Sequence, residues 1–465
     1  MTSPPGHAAP AGRVRGAGPA RRFVARRAAG LPAALRRWRT RLGGSFWSIV
    51  EYAWFPLLML ATTPFFFGAL GAERFGQWSL LSATISFGAI LSIGTGAATV
   101  RQVALRLARD DGTGVRLVVR SSLGLALAGG LAAAAAVVAV FGFGGTTLLG
   151  KMAAGGATLA TGLTAAAIVA IEQLENVFTS ALRGGERFKV IARVELIVRS
   201  AQVLAAVGAV WAVGTLEALF AALILTALVR LGVKALVVAR WLHLDVTMPS
   251  LRLWRSVIGD ARWGWLQGVG GMMFALADRF IVGSTLGAAA LAHYAVASQI
   301  AAPLHAFAAA ATSVIFPKIS AALARGDTER LRDLLRSALA LLVAATSAVA
   351  LLLYLLRFEI LTLWLGPAVA TASAPSLGWL VLAFWLLAMS VLPHYVLLGM
   401  GRMRRVAIAN VVAGIAAIVA MSWAVGPWGI VGVAAARCLY GFVLLSNFGP
   451  VLLLWRAHPR GAVTP

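Results

Sequence analysis

Cysteine, charge and acidic side chains are all scarce here, and each shortage removes a class of protein. One cysteine, Cys438, cannot close an intrachain disulfide or supply a cysteine-based metal site. The 6 histidines, among them His243, His293, His305 and His394, are scattered without the H-E-x-x-H spacing of a zinc site, so no metal or other cofactor is expected. Charged residues make up only 12% of the 465 positions while hydrophobic ones make up 60%, which a water-facing surface of this size could not tolerate. A mean hydropathy of +0.86 agrees. There is no P-loop, no G-x-S-x-G and no loop-borne pair of carboxylates, and the breaks between apolar runs are too short to build a catalytic site outside a membrane, so the chain does not read as an enzyme.

What is present is a succession of apolar runs from Ser45 to Trp455, each long enough to cross a hydrocarbon core of ~30 Å at ~1.5 Å per residue. They fall near 45–70, 76–99, 117–141, 157–182, 194–213, 217–240, 263–286, 288–316, 334–356, 373–400, 406–425 and 429–455. The expected fold is therefore an all-α polytopic membrane protein of about twelve helices, since the ten-residue alternation of a membrane β-barrel is missing. Residues 1–44 read as a basic, disordered cytosolic tail ending in Arg36, Arg37, Trp38, Arg39 and Arg41, with no signal-peptide core.

The formal charge of +25 would suit a nucleic-acid partner in a soluble chain, but its location excludes one. Arg101, Arg106, Arg109 and Arg116 fill one break; Arg183, Arg187, Lys189 and Arg193 the next but one; then Arg240, Arg252, Arg255 and Arg262; then Lys318, Arg325, Arg330, Arg332 and Arg336; then Arg402, Arg404 and Arg405. The intervening breaks hold only Arg74, Lys151 and Arg357. Alternation over the whole chain is the positive-inside pattern and puts both termini in the cytoplasm.

The chain also repeats itself. Leu70-Gly71-Ala72 with Trp78 recurs 216 positions on as Leu286-Gly287-Ala288 with Tyr294, and Leu182, Gly185, Lys189 and Val190 match Leu398, Gly401, Arg405 and Val406 at that same offset. Two six-helix lobes are expected, 45–241 and 263–455, joined by a cytoplasmic linker over 242–262 and followed by a short tail, 456–465. An even number of spans per half keeps the lobes parallel, with substrate held between them.

Charges within the apolar runs are costly, at ~2.5–3.5 kcal/mol each on insertion scales, and are functional candidates for that reason. Glu172 and Glu175 share a face of the fourth run, Arg199 lies one turn beyond Glu195 in the fifth, and Arg230 and Lys234 share a face of the sixth. Counted from the nearest basic break, these lie roughly 9–16 Å from the cytoplasmic end and can meet one another. Asp278 and Arg279 in the seventh run, and Arg437 in the twelfth, lie roughly 10–12 Å from the opposite end. Either these groups form ion pairs that lock the bundle, or a surplus of cation in a wet passage binds an anion such as phosphate. On the second reading Arg279, Asp278, Arg437, Arg199, Arg230 and Lys234 are substrate-binding candidates, with Glu172, Glu175 and Glu51 available to couple an ion. Pro56 and Pro64 follow Glu51 and could bend the first helix. Gly268–Gly271 reads as close helix packing.

Leu70-Gly71-Ala72-Glu73-Arg74-Phe75-Gly76-Gln77-Trp78, Asp278-Arg279-Phe280 followed by Leu286-Gly287 and Tyr294, Phe316-Pro317-Lys318-Ile319-Ser320, Trp364-Leu365-Gly366, Gly399-Met400-Gly401-Arg402 and Gly429-Ile430-Val431-Gly432 appear in that order. In this the chain resembles polysaccharide-transport (Wzx-type) flippases of the multidrug/oligosaccharidyl-lipid/polysaccharide exporter superfamily. The resemblance implies two MATE-like lobes around a central cavity that opens alternately inward and outward. It also implies an undecaprenyl-diphosphate-linked oligosaccharide as cargo, membrane lipids, a polysaccharide polymerase and glycosyltransferases as partners, and the bacterial inner membrane as location. Asp278 and Arg279 are the positions it carries over. An ion-coupled small-molecule exporter of the same fold is the rival expectation.

Overall fold

The computed structural model describes residues 33–88, 90–143, 149–154, 159–242 and 276–451, and among them every regular element is helical. In chain order these are α1 (Ala33–Gly88), α2 (Ile90–Leu107), α3 (Gly112–Gly142), α4 (Lys151–Ala154), α5 (Leu159–Gly184), α6 (Phe188–Val213) and α7 (Leu216–Leu242). After an interval follow α8 (276–286), α9 (Ala288–Arg325), α10 (Thr328–Leu355), α11 (Arg357–Leu365), α12 (Pro367–Met389), α13 (Val391–Gly399) and α14 (Met403–Leu444). The linker, Gly268–Gly271, most of the seventh apolar run and residues 1–32 lie outside the described residues. Helix α1 begins within the segment read as tail.

Eight described helices are long and apolar enough to cross a membrane. Two of them, Trp54–Ser86 and Met403–Val451, each take in parts of two expected spans, so the breaks expected at 71–75 and 426–428 are bends rather than loops. Gly71 (φ 73°, ψ 170°) and Gly429 (φ 55°, ψ −141°) leave the helical region and fold one span back on the next without an intervening loop. Only a residue without Cβ takes these angles cheaply. Large side chains such as Leu204, Trp211 and Leu363 are 70%, 81% and 92% exposed, as a lipid-facing surface requires.

The repeat reappears in the backbone. The ten described residues with positive φ form five pairs: Gly71 with Gly287, Asp110 with Gly326, Gly150 with Gly366, Glu186 with Gly401, and Gly214 with Gly429. Their offset is 216 for the first three and 215 for the last two. Hydrogen bonding matches as well. Asp111 N–H donates to Arg106 O and Asp327 N–H to Ala322 O, at 3.0 and 3.1 Å. Each aspartate then caps the next helix, Asp111 Oδ1 accepting from Gly114 N–H at 2.7 Å and Asp327 Oδ1 from Arg330 N–H at 3.1 Å. The Gly114 amide, and after it the Arg106 guanidinium, hold the Asp111 carboxyl below the usual range. At the second basic turn of each half, Arg187 N–H donates to Leu182 O as Arg402 N–H does to Leu397 O, both at 2.9 Å. The sequence pairing of Gly185 with Gly401 is therefore corrected by one residue: Glu186 holds the left-handed position in the first half and Gly401 in the second.

Helices α2, α3, α5, α6 and α7 pack on one another in the first half, and α9, α10, α12, α13 and α14 in the second. Helix α1 crosses between them, packing on α6 of its own half and α9 of the other. The described contacts between halves gather toward the end with few basic residues. There Phe67 meets the His293 ring at 5.9 Å, Thr63 Oγ1 donates to Gln299 Oε1 at 3.1 Å, and Trp364 Nε1 donates to Leu60 O at 3.2 Å. Backbones also touch. A Cβ on Gly76 would stand 1.8 Å from Ala288 O, and one on Gly150 would stand 2.1 Å from Ser284 O.

Because no larger residue fits at Gly76 without moving Ala288, Gly76→Leu should wedge the halves apart at this end. In a background with Cys438 replaced by Ser, cysteines introduced at Thr63 and Gln299 should be joined readily by a short bifunctional thiol reagent, since the native side chains meet at 3.1 Å. Adding Gly76→Leu should slow that reaction several-fold while leaving the membrane level of the protein unchanged. Undiminished cross-linking would mean that the close approach does not hold the end shut.

Candidate functional site

The charges of the first half meet, as their depths required. Arg230 Nη2 lies 2.8 Å from Glu172 Oε1, and its Nε donates to Glu175. Lys234 Nζ lies 2.5 Å from Glu175 Oε1 and also pairs with Glu195. Arg199 Nε lies 3.2 Å from Glu195 Oε2. Neutral groups complete the set: Thr179 Oγ1 is 3.0 Å from Lys234 Nζ, and Gln202 Oε1 accepts from Arg199 Nη1 and Arg230 Nη1 at 3.4 Å each. The outer rim is aromatic, with the Arg199 guanidinium 4.6 Å from the Phe55 ring centre.

Three carboxylates and three cations therefore cancel across α5, α6 and α7. Arg230 and Lys234 are each 1% exposed and have no surface left for a ligand, whereas Arg199 and Glu172 are half-buried at the edge. This arrangement can hold three helices in register; it offers an anion little net attraction. The Glu51 side chain lies outside the described residues.

The second group is built differently. Asp278, fully buried on α8, uses both carboxylate oxygens: Oδ1 accepts from the Arg279 backbone N–H at 2.8 Å, and Oδ2 accepts from Tyr294 O–H at 2.7 Å and from Arg437 Nη1. Arg437, 2% exposed on α14, lies with its guanidinium 4.7 Å from the Phe384 ring centre. Arg279 is half-buried beside this pair; among the described residues its guanidinium makes no hydrogen bond, but it feels the opposite charge of Asp278 and the like charge of Arg437.

Helix geometry explains the difference between neighbours. Consecutive residues point ~100° apart around an α-helix, while residues four apart share a face. Asp278 shares its face with fully buried Val282, packed into its own half. Arg279 shares its face with Gly283, whose position lies against Met152 of the first half, a Cβ there standing 3.2 Å from the Met152 side chain. Arg279 thus lies on the side of α8 turned toward the other half, one turn or ~6 Å below the closed contacts. Glu195, read from the sequence only as the neighbour of Arg199 and given no role, completes the first group, and Tyr294 completes the second. The sequence marks Tyr294 as the repeat counterpart of Trp78 and as part of the family resemblance, but not as a partner of Asp278.

Breaking a buried ion pair by removing one partner costs ~3–5 kcal/mol, whereas a half-exposed pair contributes ~1 kcal/mol or less. Arg230→Gln should accordingly lower the melting temperature of the detergent-purified protein far more than Arg199→Gln. Equal losses would show that burial does not set the strength of this network.

The family described as polysaccharide biosynthesis protein matches residues 70–373. The Shigella flexneri protein named "Putative O-antigen transporter" is 21% identical over 393 residues, covering 84% of this chain and 92% of its own length. Among solved structures, an inward-facing multidrug resistance MATE transporter of the MOP superfamily aligns with a TM-score of 0.70 at 17% identity, covering 89% of this chain and 96% of its own. The lipid II flippase MurJ in an inward closed conformation aligns with a TM-score of 0.68 at 15% identity, covering 88% and 87%. With the two-half helical fold and a match over more than half its length, the chain belongs to the polysaccharide biosynthesis protein family of multi-pass membrane transporters.

Proposed function

We propose that the protein is a flippase that carries a lipid-linked oligosaccharide, with an undecaprenyl-diphosphate anchor, from the cytoplasmic to the outer leaflet of the bacterial inner membrane by alternating access. Both termini and the basic turns then face the cytoplasm, and the contacts around Gly76 and Gly150 are the outer gate in its shut state. The observation that carries this reading is Arg279. Of the interior cations Arg199, Arg230, Lys234, Arg279 and Arg437, the other four bond directly to carboxylates among the described residues, while Arg279 is half-buried on the side of α8 nearer the other half and makes no such bond. A guanidinium in that position matches a diphosphate, which it can bind through two parallel N–H donors. The polymerase and glycosyltransferases that use and build such a cargo are its expected partners.

Electrical drive is available without ATP. Moving an anionic headgroup outward across an inside-negative membrane gains ~2.3 kcal/mol per charge per 100 mV. The rival, an ion-coupled small-molecule exporter, requires a carboxylate that can take up an ion. Of the three candidates for that role, Glu172 and Glu175 are already held by Arg230 and Lys234, which leaves only Glu51 to the rival and favours the flippase.

Losing a charge-assisted bond to phosphate costs ~1.5–3 kcal/mol, or roughly ten- to a hundredfold in affinity. Arg279→Gln should therefore abolish surface polysaccharide in the cell while the protein remains at its normal level in the membrane. In proteoliposomes, collapsing the potential should slow outward movement of the wild type. Normal glycan with Arg279→Gln would remove the proposed headgroup ligand, and potential-independent flipping would remove the electrical drive.

A further inference from the structure

The second group of charges raises a question that Arg279 alone does not answer: why a site for an anion is built beside an aspartate. An uncompensated Asp278 next to Arg279 would cancel the field that a diphosphate has to feel. We infer that Arg437 is a positioning residue whose function is to neutralise Asp278, so that the site presents the full single positive charge of Arg279 to the headgroup. This rests on the reading of Arg279 given above and assigns to Asp278 and Arg437 roles other than touching substrate.

The geometry supports the division of labour. Asp278 and Arg437 are 0% and 2% exposed, so neither reaches a ligand between the halves. Both carboxylate oxygens of Asp278 are occupied, and Oδ2 takes both Arg437 Nη1 and the Tyr294 hydroxyl. Arg437 Nη1 also lies 3.3 Å from the Tyr294 oxygen, and Phe384 covers the guanidinium, so the pair is fixed from two further sides. Asp278 in turn accepts from the backbone N–H of Arg279 through Oδ1, which fixes the backbone from which the arginine side chain extends. Buried as it is, the pair acts on the headgroup through its net charge, and that charge is zero.

Charge variants separate this role from plain structural pairing, because the two act in opposite directions on binding. The probe is farnesyl diphosphate, titrated into detergent-purified full-length protein, with uncharged farnesol as the reference for the prenyl chain. Changing the site by one unit charge at this range shifts anion affinity by about tenfold. Arg437→Gln, which leaves Asp278 uncancelled, should weaken diphosphate binding by about that factor, and Asp278→Asn, which unmasks a second cation, should tighten it comparably. The double variant Asp278→Asn with Arg437→Gln should return to within a few-fold of wild type, as should Arg437→Lys. Farnesol binding should change in none of them.

If Asp278→Asn and Arg437→Gln both weaken binding in step with a loss of thermal stability, the pair is a structural lock and the inference is overturned. Weakening by Arg437→Lys equal to that of Arg437→Gln overturns it too. Should Arg437→Gln fail to fold, Asp278→Asn against the double variant decides alone, since only the charge account makes the single variant bind more tightly. Arg279→Gln in the same assay tests the underlying reading separately: if it leaves diphosphate affinity unchanged, Arg279 is not the headgroup ligand.

Discussion

An ionised group inside a lipid-embedded bundle must be cancelled, hydrated or given a task, and this constraint organises the whole protein. In the first half it produces closure. Glu172, Glu175 and Glu195 take up Arg199, Arg230 and Lys234, three charges against three, joining α5, α6 and α7. In the second half it produces an exception, because Asp278 is satisfied by Arg437 and Tyr294 and the neighbouring Arg279 is left to face the other half. A cation there with no bonded carboxylate among the described residues is expensive unless water or an anion reaches it, which is the ground for the proposed anionic cargo.

Several features could be read before any coordinates. Apolar runs gave the class of fold, the alternating basic breaks gave the sequence of turns, and counting from those breaks placed the first-half charges at one depth, where they do meet. What depth could not supply was direction around each helix. Asp278 and Arg279 are adjacent in sequence and equal in depth, yet one is fully buried and bonded to Tyr294 and Arg437 while the other is half-buried and makes no side-chain hydrogen bond among the described residues. Pairing partners such as Tyr294, contributed by a different helix, have no local signature at all.

The repeat shows the same limit from another side. Matching identical residues put Gly185 opposite Gly401, but the backbone requires a left-handed residue one place later, and in the first half Glu186 occupies it. Duplication has preserved the turn conformation more faithfully than the residue that adopts it. The breaks expected at 71–75 and 426–428 do separate two spans, but as bends at Gly71 and Gly429, and a hydropathy profile cannot tell such a bend from a short loop.

Closure at one end and an available cation just beneath it belong to one account, in which a headgroup entering from the cytoplasmic side reaches Arg279 before the gate around Gly76 can part. The most direct test is a cryo-EM structure of the protein in lipid nanodiscs with bound undecaprenyl diphosphate. The account predicts diphosphate density within hydrogen-bonding reach of Arg279, with Asp278 still on Arg437 and the first-half network intact. Density seated instead on Arg230 and Lys234, with their carboxylates displaced, would contradict it.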